Sequence, residues 1–354
     1  MHLKRATSGE SGFVLIIVLM MLVVLSLLAA ATATTTARAL TMAQADADRF
    51  QDELNTTNTV QTLMFMLSTQ RQTVAGLTTN DASTMTTATT FDSDATGFNA
   101  LPLGNEIRMD GTPYRGSGDI NFSLQDDGGL LSVNWAPPAL KGAFFQSLGV
   151  ASDKWGDLEA KRLDYQDPDD LTRLNGAESK DYKKAGMPPP SNRTLSTPLE
   201  LRRVLQWDKM LAPQDDVKLL STLTMARSTR LNINTAPIQV LELLPGMTQK
   251  NAQRIIEVRS VVPFVSVSQA QQSFGLTVGE EWLTLFARPS GNLILWNRYS
   301  GSRQLLHWTM TPRAPAGPPW RIDYEVTLPR GAKSAPTTAD SPATSLFTAQ
   351  DAPR

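Results

Sequence analysis

The chain has 354 residues, a formal net charge of −1, two histidines and no cysteine. The missing cysteines exclude disulfides, thiolate zinc sites and cysteine nucleophiles, and two histidines, His2 and His307, leave little material for a histidine-based catalytic site. A near-neutral chain also lacks the overall basic field that would attract nucleic acid or acidic lipid.

The N-terminal segment joins a short basic stretch to an uncharged apolar run. Lys4 and Arg5 precede residues 13–37, which contain no charged residue. At about 1.5 Å per residue, a helix of this length crosses a hydrocarbon layer of about 30 Å. Positive charge before the run keeps the leader in the cytoplasm and places the rest of the chain outside. The alternative is a secretory signal cut after small residues such as Ala29 and Ala31.

The chain beyond the apolar run predicts a long helix, a small sheet and a helical insertion. Residues 38–75 lack proline and glycine and carry apolar residues at helical spacing, whereas residues 77–100 are polar and predict a surface connection. Strands are predicted at 120–124, 130–133, 303–310 and 320–328, and helices at 144–150, 155–166 and 197–207. Two strand-rich pieces so far apart predict one sheet interrupted by the helices.

Two motifs inside the insertion suggest possible sites. The first is a cluster of carboxylates on a loop with a glycine, which suits Ca²⁺ but is equally explained as a solvated acidic loop; it consists of Asp164, Asp167, Asp169, Asp170, Glu178 and Asp181. The second is a helix-hairpin-helix pattern over residues 231–259, with Thr235 capping a helix from Pro237 and a turn at Pro245 and Gly246. Its basic residues are sparse, so we interpret it as a packing scaffold rather than a DNA site.

The residues at the start of the apolar run resemble the leader of type IV pilins and type II secretion pseudopilins. Gly12 and Phe13 directly join the leader to the run. The resemblance implies that a peptidase cuts between them and methylates the new N-terminus at Phe13. Most members have glutamate as the fifth mature residue, where this chain has Ile17. That absence is typical of the minor pseudopilin K, the proposed tip subunit of the filament.

Several patches further along resemble the general secretion pathway K proteins, in the order of that family. They are DDGGLLSVN (126–134), LDYQDPDD (163–170), NGAE (175–178), SNRTLSTPLELRRV (191–204) and NINTAP followed by LPG within residues 232–246. The chain departs from the family at Tyr165, where a tryptophan is usual, and at Ser179, where an acidic residue is usual. The resemblance extends from the leader to about residue 290.

The resemblance implies an α+β fold with a long N-terminal transmembrane and amphipathic helix, a small antiparallel-sheet pseudopilin body and a large inserted α-helical domain containing a helix-hairpin-helix (SAM-like) unit. The predicted segments are a leader peptide (1–12), a transmembrane helix (13–37), the pseudopilin helix with the first part of the body (38–136), the inserted helical domain (137–230), its hairpin part (231–288), the C-terminal strands of the body (289–330) and a disordered tail (331–354).

The resemblance also implies a function by assembly, without catalysis. The expected partners are other minor pseudopilins of the I and J type, the pseudopilus, the inner-membrane secretion platform and exported substrates, with no nucleic acid. The chain would be a single-pass inner-membrane protein with most of its length in the periplasm. Calcium is the one expected cofactor, at Asp167, Asp169 and Glu178. The rival functions are a membrane-tethered DNA receptor of a competence system and a minor pilin of a type IV pilus.

Overall fold

A computed structural model describes residues 11–79, 101–276, 278–297, 303–314, 317–329 and 342–347. The predicted leader, up to residue 10, and most of the predicted connection at 77–100 lie outside the described residues. The described residues up to 54 and those from 55 onward form two compact units. The predicted α+β fold class is confirmed by a long N-terminal helix, further helices and antiparallel sheets.

Nine α-helices and twelve strands are present in the described ranges. The helices are α1 (Ser11–Thr69), α2 (Pro138–Ser147), α3 (Trp155–Gln166), α4 (Ser179–Lys184), α5 (Trp207–Leu211), α6 (Asp216–Thr222), α7 (Ile238–Leu241), α8 (Gln249–Val261) and α9 (Val267–Phe274). The strands are β1 (Gln72–Thr73), β2 (Gly76–Thr78), β3 (Glu106–Ile107), β4 (Asp110–Arg115), β5 (Ile120–Asp126), β6 (Leu131–Ser132), β7 (Leu223–Thr224), β8 (Leu231–Asn232), β9 (Leu283–Thr284), β10 (Ser290–Asn297), β11 (Arg303–Met310) and β12 (Trp320–Leu328).

The long helix α1 forms because nothing in its sequence breaks it. No proline or glycine occurs between Phe13 and Thr69. Many of its threonines donate their hydroxyl groups to carbonyls three or four residues earlier, as Thr59 does to Asn55 at 2.8 Å, which satisfies these donors within the helix. The last turns of α1 belong to the second unit, where Leu63 and Met64 are fully buried.

The main sheet joins two distant parts of the chain. Its five antiparallel strands run in the order β12-β11-β10-β5-β4, so that β10 pairs with β5 across the whole insertion. Phe122 and Trp308 from this sheet pack with the end of α1 in one core. The prediction of a single sheet interrupted by an insertion is therefore confirmed.

The insertion has a core of its own. Phe145, Tyr182 and Trp207 lie at its centre, with Trp207 Nε1 donating to the Leu158 carbonyl at 2.9 Å. Two short parallel strand pairs, β6 with β7 and β8 with β9, form between segments distant in sequence. The insertion is thus held by its own apolar core rather than by an extended sheet.

Four predicted segments differ from the structure, the last of them the C-terminal tail. The predicted helix at 144–150 is part of α2, which begins six residues earlier at Pro138 and ends at Ser147, because Gly149 adopts a left-handed conformation just after it. The predicted helix at 197–207 is a 3₁₀ helix at Pro198–Arg203, and α5 begins only at Trp207. Between them Val204 is extended and Gln206 is left-handed, because the buried Val204 and the bond from the Leu205 N–H to the Tyr182 hydroxyl decide the backbone there. The predicted strand 130–133 is shortened to Leu131–Ser132.

The predicted disordered tail, 331–354, is ordered in part. Residues 342–347 pack on the body, where the Phe347 ring meets Phe122 edge-on at 5.8 Å and the Pro342 carbonyl accepts from the Arg115 N–H. The apolar pair of Leu346 and Phe347 supplies the burial that the composition of the tail as a whole did not predict. Residues 331–341 and 348–354 lie outside the described part.

Candidate functional site

The apolar part of α1 exposes its side chains. Phe13 is 68% exposed and Ile17 is 42% exposed. Keeping this much apolar surface in water is unfavourable, so the segment needs lipid or partner helices around it. Within the described part of the chain, α1 is the one helix long and apolar enough to cross a membrane. This is consistent with a single-pass anchor.

The processing residues lie at the beginning of that helix. Gly12 and Phe13 fall in the first turn of α1, and Ile17 follows inside the apolar run. Cleavage between Gly12 and Phe13 and methylation of Phe13 remain predictions, as does the role of Ile17 in assembly.

The first of two adjacent aspartates joins the sheet to the insertion. Asp126 is fully buried and accepts four hydrogen bonds, which come from the Gly128 N–H (2.8 Å), the Arg288 N–H (2.7 Å), the Asn232 side-chain amide (2.9 Å) and the Thr235 hydroxyl (2.8 Å). Burial raises the pKa of Asp126 to about 6, and the four donors oppose that rise. One carboxylate thus ties together segments more than a hundred residues apart.

Asp127, the second of these aspartates, also joins the main sheet to the insertion, and one of its partners is the buried imidazole of His307. Its Oδ2 atom lies 3.0 Å from His307 Nε2, while Nδ1 of the same imidazole lies 3.0 Å from Asp323 Oδ2. Asp127 also accepts from the Ser290 and Thr224 hydroxyls. Burial alone would disfavour the imidazolium, but the bonds to Asp127 and Asp323 outweigh it and raise the pKa of His307 to about 9. The single histidine of the body is therefore structural, and it is charged at neutral pH.

The NINT motif (residues 232–235) belongs to the insertion and binds Asp126. We call the contacts that Asp126 and Asp127 make with the insertion and the main sheet the junction. Asn232 and Thr235 bind Asp126, whereas Asn234 donates to the Val74 and Phe264 carbonyls. Thr235 was predicted to cap the following helix, and that prediction is wrong. The helix begins at Ile238, and the hydroxyl of Thr235 goes to Asp126 because a buried carboxylate needs every available donor. The polar side chains of the motif therefore stabilise the fold, by binding Asp126 and the Val74 and Phe264 carbonyls.

The predicted hairpin is present as α7, a turn and α8. Pro245 and Gly246 form the turn, with Gly246 at a φ of 76°, and Thr248 caps α8 by accepting from the Asn251 N–H. The basic Arg259 does not face outward. It is buried and donates to the Ile233 and Ala236 carbonyls. Arg259 therefore serves the packing of the hairpin into the insertion, whereas Lys250 and Arg254 are exposed on α8.

The acidic loop follows α3 and is arranged around one arginine. Arg173 Nη1 donates to Asp164 Oδ1 at 2.6 Å and also to Asp167. The second oxygen of Asp164 accepts from the Ala177 and Arg173 N–H groups. Asp164, whose side chain is fully buried, thereby anchors the loop to the end of α3.

Several oxygens around this loop have no hydrogen-bond partner in the part of the chain that the structure describes. They are Oδ1 of Asp167, Oδ1 of Asn192 and both carboxylate oxygens of Glu178. Glu178 is the N-cap residue of α4, where its side chain is directed at the Asp181 N–H in a capping-box arrangement without making a short bond to it. Glu178 is 5% exposed. Burial, and then the charges of Asp164 and Asp167, raise the pKa of Glu178 to about 7. Buried acceptors without donors are rare in proteins and indicate a water or a cation.

The three residues predicted as calcium ligands are not brought together in this arrangement. Asp167 accepts a hydrogen bond from Arg173, and Asp169 accepts one from the Leu171 N–H at 2.9 Å. Glu178 takes part in neither interaction. Among the described residues, no group of three acidic or histidine side chains is placed to hold a metal. Sequence reasoning included Asp164 in the acidic cluster but missed Arg173 and Asn192, because a cation-binding pattern read from carboxylates alone does not reveal competing donors.

Comparison with known proteins identifies two domains in the chain. Residues 124–214 and residues 231–283 match family models described as type II secretion system (T2SS), protein K. No curated protein is significantly similar in sequence. One similar solved structure is the GspK-GspI-GspJ complex of the type 2 secretion system from enterotoxigenic Escherichia coli, with 15% identity over 59% of this chain and 79% of that chain and a TM-score of 0.37.

Proposed function

The chain belongs to the protein K family of the type II secretion system, whose members are minor pseudopilins, and from that premise we propose that it caps the tip of the periplasmic pseudopilus. In this role it helps to initiate filament assembly for the export of folded proteins across the outer membrane. It acts by assembly rather than by catalysis. Its partners are minor pseudopilins of the I and J type, the inner-membrane secretion platform and, at the tip, exported substrates.

Ile17 is the observation that carries the tip position. It is an apolar residue inside an uncharged stretch of α1, where a shaft subunit would offer a carboxylate to the N-terminal amine of its neighbour. An unpaired amine in an apolar filament core is costly. A subunit without the carboxylate therefore fits a place where no further subunit follows. The same helix is proposed to cross the inner membrane with its N-terminus in the cytoplasm.

Filament composition tests the tip position. We expect one copy of this chain per filament, so its ratio to the major pseudopilin should fall in inverse proportion to filament length. Quantitative mass spectrometry of sheared pseudopili, sorted by length, measures that ratio. An I-type minor pseudopilin in the same samples is the internal reference. A ratio that stays constant across lengths would show that the chain is a shaft subunit.

We also propose that the acidic loop binds Ca²⁺. The unpartnered oxygens of Glu178, Asp167 and Asn192 are hard donors of the type that Ca²⁺ takes in sets of six to eight, with water completing the set. To hold the ion near the end of α3 these residues would have to move together, since the described loop does not place three acidic side chains around one position. Bound there, Ca²⁺ would neutralise carboxylates that otherwise repel one another across the loop. Asp169, predicted as a ligand, already serves as acceptor for the Leu171 N–H.

Calcium is expected to raise the melting temperature of the full-length, detergent-solubilised chain after chelator treatment. At a concentration of 100 times Kd the gain is about 2.7 kcal/mol, or roughly 5–10 °C. Differential scanning fluorimetry with and without CaCl₂ measures the shift. Glu178→Gln should abolish most of it, whereas Asp153→Asn, at an exposed acid outside the loop, should retain it. An equal midpoint with and without Ca²⁺ in the unaltered chain would remove the calcium proposal.

A further inference from the structure

We propose that Trp135 and Arg227 form a docking site for a carboxylate on the surface of a partner protein. Both residues are exposed, and the guanidinium of Arg227 lies over the Trp135 ring, with its Cζ atom 4.3 Å from the ring centroid. This docking site is independent of the tip position and of the calcium binding proposed above.

Backbone pairing holds the two residues side by side although they are far apart in sequence. Trp135 follows β6 and Arg227 follows β7, and these strands pair in parallel, with Ser132 opposite Thr224. The Ser132 hydroxyl also donates to the Ala226 carbonyl at 2.6 Å. A site whose groups are fixed before the partner arrives loses less conformational freedom on association. The ring and the guanidinium are therefore preorganised for binding.

The hydrogen-bond donors of Arg227 are available to a partner. Stacking over an aromatic ring uses the positive charge of a guanidinium and leaves its N–H groups free to donate. Within the part of the chain that the structure describes, the Arg227 side chain takes part in no ion pair and donates no hydrogen bond. A guanidinium binds a carboxylate through two parallel N–H···O bonds, so one carboxylate would use donors that this chain leaves unused.

A second arginine adds positive charge beside Arg227. Arg288 donates from Nη2 to the Arg227 carbonyl at 2.7 Å, and its own backbone N–H is held by Asp126 at 2.7 Å. Among the described residues Arg288 is in no ion pair either, so the surface around Arg227 carries two guanidinium groups and no carboxylate paired with them. Positive charge without a counter-charge makes this surface complementary to an acidic one.

The composition of this surface favours a protein partner over a membrane or a nucleic acid. Anionic lipid is held by larger basic clusters, of about 4–8 lysines and arginines, and nucleic acid by an extended basic face. The chain as a whole has a formal net charge of −1 and exerts no long-range attraction on either. Tryptophan and arginine are enriched among the side chains that dominate protein–protein binding. The partner is therefore a protein that presents an aspartate or glutamate to Arg227 and covers the Trp135 ring.

Photo-crosslinking of the full-length chain in cells of its own host identifies what covers the ring. The chain carries Trp135→p-benzoylphenylalanine, which keeps an aromatic group at the position, and the same group in place of Gln253, exposed on α8, is the control. We expect illumination to join position 135 to a protein, at a peptide with an aspartate or glutamate beside the attachment point. No product beyond that of the control, a product with lipid or nucleic acid only, or a peptide without a neighbouring carboxylate would overturn the proposal.

Titration calorimetry with the protein so identified measures the role of Arg227 in the full-length chain in detergent. Arg227→Gln should bind roughly tenfold or more weakly, and Arg227→Lys should lie between, because an ammonium does not form the two parallel bonds. Arg303→Gln is the matched control, since Arg303 also lies over an indole ring, that of Trp296, at 5.8 Å. It should change the affinity by no more than about twofold.

Charge reversal separates docking from a loss of structure. Arg227→Glu should bind more weakly than Arg227→Gln, and replacing the partner's carboxylate by arginine should restore binding to Arg227→Glu while weakening it to the unaltered chain. A variant that had merely failed to fold could not be rescued in this way. Unchanged affinity in Arg227→Gln, or reversed charges that restore nothing, would overturn the proposal and leave the tip position and the calcium site untouched.

Discussion

Replacing Asp126 by alanine is expected to lower the free energy of unfolding by about 4 kcal/mol or more, which is among the largest effects available in this chain. The change leaves four donors without an acceptor: two backbone N–H groups, the Asn232 amide and the Thr235 hydroxyl. Each is buried or nearly so, and each unsatisfied donor costs about 1–3 kcal/mol. The loss is large because one carboxylate serves the sheet, the NINT motif and the Arg288 segment together.

Thermal and urea unfolding of the full-length chain, followed by tryptophan fluorescence, measure this loss. Asp119→Ala is the matched control, since Asp119 is an exposed aspartate in the turn between β4 and β5. It should change the free energy of unfolding by no more than about 0.5 kcal/mol. If Asp126→Ala lost less than about 1 kcal/mol, the junction would be held by apolar packing and not by this carboxylate.

The second large effect is a dependence of stability on pH that comes from His307. Its pKa is raised to about 9 in the folded chain, against an ordinary value of 6.5. A raised pKa means that the stabilisation is fully present below about pH 6.5 and is lost as the pH rises through 9. A difference of this size corresponds to about 3 kcal/mol. The loss has a structural reason, because deprotonation removes the positive charge between Asp127 and Asp323.

The variant His307→Gln isolates this contribution. It lacks the titrating group, so its free energy of unfolding should vary less between pH 7 and 9.5 than that of the unaltered chain. The quantity to plot is the difference between the two chains at each pH, which cancels groups common to both. We expect that difference to shrink steadily as the pH rises. A difference that is constant with pH would mean that His307 is neutral in the folded chain.

Local sequence patterns predicted the bounds of those helices and strands whose own residues strongly favour one secondary structure. Helix α3 and strands β11 and β12 have the predicted bounds. In β12 apolar and polar residues alternate without a break, whereas β11 carries a short apolar and aromatic run, Leu305, Leu306 and Trp308, between polar residues. The strand β10 was not predicted. It contains Gly291 and Asn292, poor strand formers, and it is stable because it is paired on both sides in the middle of the sheet.

The candidate sites show the same difference between features that a local sequence pattern predicts and features that depend on distant parts of the chain. The anchor could be read from the sequence, since its apolar length needs no tertiary context. The junction could not, because Asp127 and His307 are 180 positions apart and nothing local relates them. At the acidic loop, carboxylates indicated a cation but could not show that Arg173 already occupies two of them. Long-range partners of polar groups are set by the fold as a whole, so a pattern in one segment does not contain them.

The mature N-terminus tests the central claim most directly, because anchoring and filament assembly both depend on it. Intact-mass and N-terminal peptide mass spectrometry of the chain, purified from a host with its prepilin peptidase, identify the first residue. We predict cleavage between Gly12 and Phe13 and a methyl group on the Phe13 amine, with the apolar helix retained. A mature chain that starts near residue 32 would mean that the apolar run is a discarded secretory signal, and would contradict the pseudopilin account.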